Sequence, residues 1–255
     1  MYRISINLEH PLTVLMVGCG GTGGFVAPGL CRLLPPNAKL VLVDHDLVEE
    51  RNLGRQNFFQ EDLGRFKSQA LAERLARKFG RAVGYSVNPF APRLIEPRTV
   101  VVGCVDNGLA RAAIAKAMVP WHGGWWLDSG NGDNWGQVLI GNDAPEHMRG
   151  AFDQAKGICY ALPLPTIQQP ELLAGRPQPA VSCAEAVEQD TQNPLINQFM
   201  AVLVLEVVRR LLAGTLTWMQ VYQDMESGTM RTVDATPETV ARMTGVKIRQ
   251  LVLKG

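Results

Sequence analysis

The sequence predicts an α/β fold: a mainly parallel sheet with antiparallel closing strands and helices on both faces. Three observations predict it. Short β-branched apolar runs alternate with helical periodicity between residues 12 and 140, the order that builds parallel strands through right-handed crossovers. The run at 12–17 leads straight into Gly18-Cys19-Gly20-Gly21-Thr22-Gly23, which fits G-x-G-x-x-G and is followed by Gly24. A second strand at 39–43 ends in Asp44, about 20 residues past the turn, where a ribose-binding acid belongs. Glycines there let the chain turn tightly and bring its amides to a phosphate, and the next helix aims its positive end at that phosphate. A bare glycine fingerprint is weak, but strand, turn, helix, strand and acid in order describe a Rossmann-like nucleotide site.

The remaining elements follow in order. Residues 1–8 alternate apolar and polar (Tyr2, Ile4, Ile6, Leu8), as a short strand ahead of the core would. Residues 47–66 are polar and loop-like. Residues 67–79 carry Ala70, Leu71, Leu75 and Phe79 on one helical side, and Gly80 stops them. A third strand is expected at 81–87, ended by Asn88-Pro89, and a fourth, buried one at 99–105. A helix at 107–118 ends at Pro120. Strands are expected at 124–128 and 136–140, and regular periodicity is then lost from 141 to 194. Residues 195–213 form a mostly apolar helix, 217–222 and 229–233 closing strands, and Thr236-Pro237-Glu238 starts a helix before a β-like run at 246–253. The expected organisation is one domain over 1–255: a nucleotide-binding core at 11–140, a crossover loop at 141–194, and a dimer- or partner-binding part at 195–255.

Composition sets bounds. A chain of 255 residues with 46% hydrophobic and 19% charged residues is an ordinary globular composition. A net charge of +1 gives no strong pull toward nucleic acid or acidic membranes. No apolar run reaches spanning length, and the N-terminus lacks a small-residue cleavage site, so a cytoplasmic location without membrane partners is expected. Five single cysteines (Cys19, Cys31, Cys104, Cys159, Cys183) form no C-x-x-C pair. The first three stand in apolar contexts and read as small buried hydrophobes. Trp121, Trp125, Trp126 and Trp135 flank the fifth strand and read as core.

The loop after Asp44 decides the chemistry. It holds Asp44-His45-Asp46, then Arg51-Asn52-Leu53-Gly54-Arg55-Gln56, then Gly64-Arg65-Phe66-Lys67. The fourth strand ends in Cys104-Val105-Asp106-Asn107, with Arg111 one helical turn on. A dehydrogenase needs the glycine turn and Asp44 but not this clustered charge. An enzyme of nucleoside triphosphates does: basic groups offset phosphate charge, and an acid at a strand's carboxyl end can hold Mg²⁺. Asp106 could also serve as cap of the helix starting at Asn107.

These motifs resemble the ThiF/MoeB/ubiquitin-activating-enzyme superfamily over residues 12–213. GCGGTGG is similar to its glycine loop, DHDLVEERNLGRQ to its D-x-D-x-V-x-x-x-N-L-x-R-Q block, GRFK to its G-x-x-K, VDNGLAR to its D-N-x-x-x-R and VSCAEA to its S-C-A-E-A segment. In composition the chain resembles the subgroup of the plasmid-borne PRTRC system. The resemblance implies ATP- and Mg²⁺-dependent adenylation of the C-terminal carboxylate of a ubiquitin-like or sulfur-carrier protein by a homodimer. It implies nucleotide contacts from Gly18, Gly20, Gly21, Gly23, Asp44, Asp46, Asn52, Arg55, Gln56, Lys67, Asp106 and Asn107, with Asp106 on the metal. Catalytic roles would fall to Arg55, Lys67 and Asp106, and to Cys183 if the acyl group passes to a thiol. The attacking carboxylate is already ionised, so no general base is required.

Three departures stand beside it. The family's zinc module uses two C-x-x-C pairs; here Cys159-Tyr160-Ala161-Leu162 keeps one cysteine and the second pair is missing, so no zinc is expected. The partner-subunit arginine that many members supply from an N-terminal helix has no counterpart beyond Arg3. Residues 235–255 match nothing in the family and suit a partner-specific surface. Two other readings remain: a non-catalytic, nucleotide-gated binding module, and an NAD-dependent oxidoreductase.

Overall fold

The computed structural model describes residues 1–4, 6, 10–118, 124–174, 193 and 195–253. Its first half runs β1 (Arg3–Ile4), β2 (Thr13–Val17), α1 (Gly21–Leu33), β3 (Lys39–Val43), α2 (Lys67–Phe79), β4 (Gly84–Ser86), β5 (Val100–Gly103) and α3 (Gly108–Met118). Then come β6 (Trp125–Asn131), β7 (Trp135–Gly141), β8 (Phe152–Asp153), β9 (Ile158–Cys159) and α4 (Pro165–Gln168). The chain ends with α5 (Ile196–Leu212), β10 (Trp218–Asp224), β11 (Thr229–Asp234), α6 (Pro237–Thr244), α7 (Ile248–Leu251) and β12 (Val252–Leu253).

Eight strands make one sheet in the order β11-β10-β7-β6-β5-β2-β3-β4. The β4-β3-β2-β5-β6 half is parallel, and β7, β10 and β11 close it antiparallel, as the sequence predicts. The apolar runs of the parallel strands split by the pleat. Val14, Met16, Val100 and Val102 join one core with residues of α1, α2 and α5. Leu15, Val17 and Val101 join the other with Ile114 and Met118 of α3. Strands buried on both faces therefore read as continuous apolar runs, and helices cover both faces. Strand order reverses between β2 and β5, which opens a crevice at their carboxyl ends.

Several local expectations are corrected. The strand expected at 81–87 shrinks to β4, because Arg81 is drawn away from the sheet. Its guanidinium donates to the carbonyls of Cys31, Leu34, Pro35 and Ala38. It thereby satisfies acceptors that the C-terminal end of α1 leaves open. The irregular stretch at 141–194 contains β8, β9 and α4, and a second small sheet in the order β1-β9-β8-β12 ties it to both ends of the chain. Two-residue strands that pair only over long range leave no local periodicity to read. Half of the β-like run at 246–253 is the helix α7, and only Val252–Leu253 pairs, with β8. Trp125 and Trp126 are fully buried, but Trp135 is half exposed at the start of β7. Trp121 lies outside the described residues.

Candidate nucleotide site

The glycine turn sits at the reversal of strand order. Gly18 has φ +91°, and a Cβ there would stand 2.5 Å from Cys104 O, so glycine lets the ends of β2 and β5 meet. A Cβ on Gly23 would fall 1.9 Å from Gly18 O, which closes the turn against α1. No side chain caps α1 at Gly20, and Gly20, Gly21 and Thr22 line the crevice. Its far wall is α5: Thr22 Oγ1 donates to Asn197 Oδ1 at 3.3 Å.

Past β3 the loop is held by its own carboxylates. Asp44 Oδ2 accepts from Cys19 N at 2.6 Å, and Oδ1 from Asp46 N at 2.9 Å. Burial pushes the Asp44 carboxyl above its usual range, and these two amides partly offset the shift. Lys67 opens α2 almost wholly buried, its amide donating to Asp46 O at 2.9 Å and its Nζ lying 3.0 Å from Asp46 Oδ2. A buried lysine with one half-exposed partner leaves an ammonium directed at the crevice.

Past β5, Asn107 Oδ1 accepts from Ala110 N at 2.8 Å. Asn107 is therefore the cap of α3, which starts at Gly108, and the capping role considered for Asp106 is corrected. Asp106 is exposed on the crevice wall, and among the described residues its carboxylate has no hydrogen-bond or ion-pair partner. Behind it Arg111 and Asp128 form a buried ion pair, Nε to both carboxylate oxygens at 3.1 and 3.0 Å. Burial holds the Asp128 carboxyl up at about 6 against the opposing pull of Arg111.

These walls enclose a cavity of about 680 Å³, within the usual range for small-molecule sites. Of the residues selected from sequence, Gly18, Gly20, Gly21, Asp44, Asp46, Arg55, Gln56, Lys67, Asp106 and Asn107 line it. Asn52 does not: it is buried, and its Oδ1 accepts from Glu49 N at 2.9 Å to close the turn that aims Arg55. Gly23 lies behind the turn. Cys183 falls outside the described residues. Sequence reasoning missed Ser129, Asn131 and Asn197, which also line the cavity. The polar pair Asn197-Gln198 at the start of the mostly apolar α5 was the signal available. Among the described residues, Gln56 Oε1 and Ser129 Oγ are buried there without a hydrogen-bond partner, a cost usually met by a ligand or water.

Among the described residues, the one His/Cys/Asp/Glu cluster with metal-ligand proximity is Asp44, His45 and Asp46, within 4.8 Å. Asp44 already accepts two amides, and Asp46 the Lys67 ammonium. Cys159 is buried in the small sheet, its thiol donating to Ala161 O at 3.4 Å and pushed upward by burial, so it packs as a core hydrophobe.

The model of the ThiF family matches residues 8–249, which corrects the expectation that residues from 235 on match nothing in the family. The chain belongs to the ThiF family. This ThiF-family chain is 33% identical over 149 residues to "Ubiquitin-like modifier-activating enzyme 5" of Dictyostelium discoideum, covering 48% of the chain and 36% of that protein. It is 39% identical over 102 residues to "Adenylyltransferase and sulfurtransferase MOCS3" of Xenopus laevis, covering 37% of the chain and 22% of that protein. It thus spans well under half the length of these relatives. Among solved structures, E. coli MccB with ATP matches 87% of the chain and 63% of that protein at a TM-score of 0.60 and 16% identity, a likeness of fold. No described helix is long and apolar enough to cross a membrane.

Proposed function

We propose that the chain is an ATP-dependent adenylating enzyme of the ubiquitin-like-modifier-activating type, with a small ubiquitin-like or sulfur-carrier protein as acyl donor. The observation that carries this is the cavity itself. A glycine turn at the strand reversal, basic side chains from the 47–67 segment and the Asp106 carboxylate, partner-free among the described residues, converge on one space. The family and the relatives' adenylyltransferase and activating-enzyme names point the same way.

The residues fit ATP. Among the described residues, Gln56 Oε1 and Ser129 Oγ lie buried at the cavity without hydrogen-bond partners, polar atoms that a bound nucleotide can satisfy. Asp44 would face the ribose, and Arg55 and Lys67 the phosphate chain. A carboxylate oxygen of the donor attacks the α-phosphorus, the bond to the β-phosphate oxygen breaks, and pyrophosphate leaves. Negative charge grows on the departing group, where preorganised Arg55 and Lys67 lower the barrier. Mg²⁺, held by Asp106, would offset further phosphate charge when bound. No zinc is invoked. Onward transfer to Cys183 would be a separate step.

The reading extends to a single domain over 1–255 acting in the cytoplasm as a homodimer. Exposed Leu195, just ahead of α5, and Phe199 and Val202 on it offer an apolar surface for a second copy. Placement in the PRTRC-system subgroup rests on composition alone.

Magnesium-dependent exchange of labelled pyrophosphate into ATP, with a small ubiquitin-like protein ending in glycine, tests the reaction. Exchange should require the donor's free carboxylate and fail in Asp106→Ala. ATP binding without exchange, whatever donor is supplied, would establish a nucleotide-gated module instead.

A further inference from the structure

We infer that Arg111 and Asp128 are a positioning pair that sets Asp106 on the cavity wall for its metal, an inference that rests on the adenylation reading above. Arg111 is 6% exposed and Asp128 fully buried; neither touches the space where nucleotide and donor would meet. Arg111 uses two arms in different directions. Its Nε reaches both Asp128 oxygens on β6, and its Nη2 donates to Val105 O at 2.7 Å. Val105 immediately precedes Asp106, and Asn107 immediately follows it as the cap of α3. Asp106 is thus bracketed by two anchored neighbours while its own carboxylate stays uncommitted among the described residues.

Stability alone does not account for the pair. Taking two charges out of water costs about as much as their attraction returns, and an apolar pair of like volume commonly serves as well. What an apolar pair lacks is the second arm, which fixes a loop carbonyl. A planar guanidinium holds Asp128 and Val105 together in a fixed fork; a lysine ammonium, with three donors on one nitrogen at the end of a flexible stem, does not fix that geometry. The pair also joins the two walls of the cavity, since Val105 and Asp106 lie on one and Ser129 and Asn131 on the other. It acts on the metal through Asp106 rather than on substrate.

Calorimetric titration of ATP over a series of Mg²⁺ concentrations tests this without any donor protein. Arg111→Lys should raise the Mg²⁺ midpoint by up to about 10-fold, below the roughly 10- to 100-fold that follows loss of a group bonded to the ligand itself, because Arg111 holds the carbonyl next to Asp106 rather than its carboxylate. ATP affinity at saturating Mg²⁺ should change little. In an Asp106→Ala background the same substitution should add no further shift, because the two act along one line. Asp128→Asn, which keeps volume and polarity, should shift the midpoint in the same direction and serves if Arg111→Lys fails to fold. A wild-type Mg²⁺ midpoint in folded variants, or an equal shift with and without Asp106, would overturn the inference alone. A wild-type chain that binds no ATP at any Mg²⁺ concentration would overturn the adenylation reading and this inference with it.

Discussion

Replacing Lys67 with Met keeps the aliphatic stem in its buried slot and removes only the charge. The ammonium lies 3.0 Å from Asp46 Oδ2 and its side chain is 9% exposed, against 56% for Asp46. A unit charge about 4 Å from a phosphate oxygen at an effective dielectric of about 20 interacts by about 4 kcal/mol. Two effects reduce this. Asp46 already absorbs part of the lysine's field, and water enters the vacated space to solvate the phosphate. About half should survive, so ATP affinity should fall by about 2 kcal/mol, or roughly 30-fold. Fold stability should barely move, since an ion pair with so exposed a partner contributes about 1 kcal/mol or less. Calorimetric titration with ATP and Mg²⁺ reads the affinity, and a thermal melt the stability. A Lys67→Met chain binding ATP within about twofold of wild type would show that the ammonium does not face the phosphates.

Gly23→Ala should abolish measurable ATP binding and lower the melting temperature, because its Cβ would fall 1.9 Å from Gly18 O; ordinary ATP affinity in that variant would refute the geometry of the turn. Gly29→Ala should cost about 1–3 kcal/mol by overpacking, since the new methyl would lie 2.2 Å from Leu205 Cδ1 on α5. The melt should drop by about 3–10 °C with ATP affinity retained, and an unchanged melt would count against the close α1–α5 contact. Glu206 is held down at about 2 by Arg209 and then Arg210. A depressed carboxyl stabilises the fold above its usual value and loses that contribution as pH falls through the folded one. Glu206→Gln should therefore melt lower than wild type near neutrality, by about 1 kcal/mol or less for so open a site. That gap should close between pH about 4 and about 2, and a gap independent of pH would sink the assignment.

The middle of the parallel core was legible because β2 and β5 are buried on both faces and so write nearly unbroken apolar runs, each followed by a glycine or an asparagine within a few residues. The site was legible where its residues follow a strand end within a few positions: Gly18 and Gly20 after β2, Asp44 and Asp46 after β3, Asp106 and Asn107 after β5. Residues that reach the cavity from elsewhere were not. Asn197 arrives on α5, far along the chain, because α5 packs on α1 at Gly29. Ser129 and Asn131 arrive because β6 runs parallel beside β5. Asn52 read as a ligand from its place in the motif, yet the fold turns its amide onto Glu49. The small sheet of β1, β9, β8 and β12 was invisible for a related reason, as no two of its strands carry enough residues to show a period.

By itself, then, the amino-acid order determined which segments become the main strands and helices, where the glycine turn lies, and which charges stand at strand ends. Those properties depend on neighbours within a few residues. Only the tertiary structure decided which of these side chains share one cavity, that Asn107 caps α3 and leaves Asp106 free, and that Arg111 ties the loop before Asp106 to the buried Asp128. Such outcomes depend on which strand lies next to which, a relation set by burial of both sheet faces at once rather than by any local stretch of sequence.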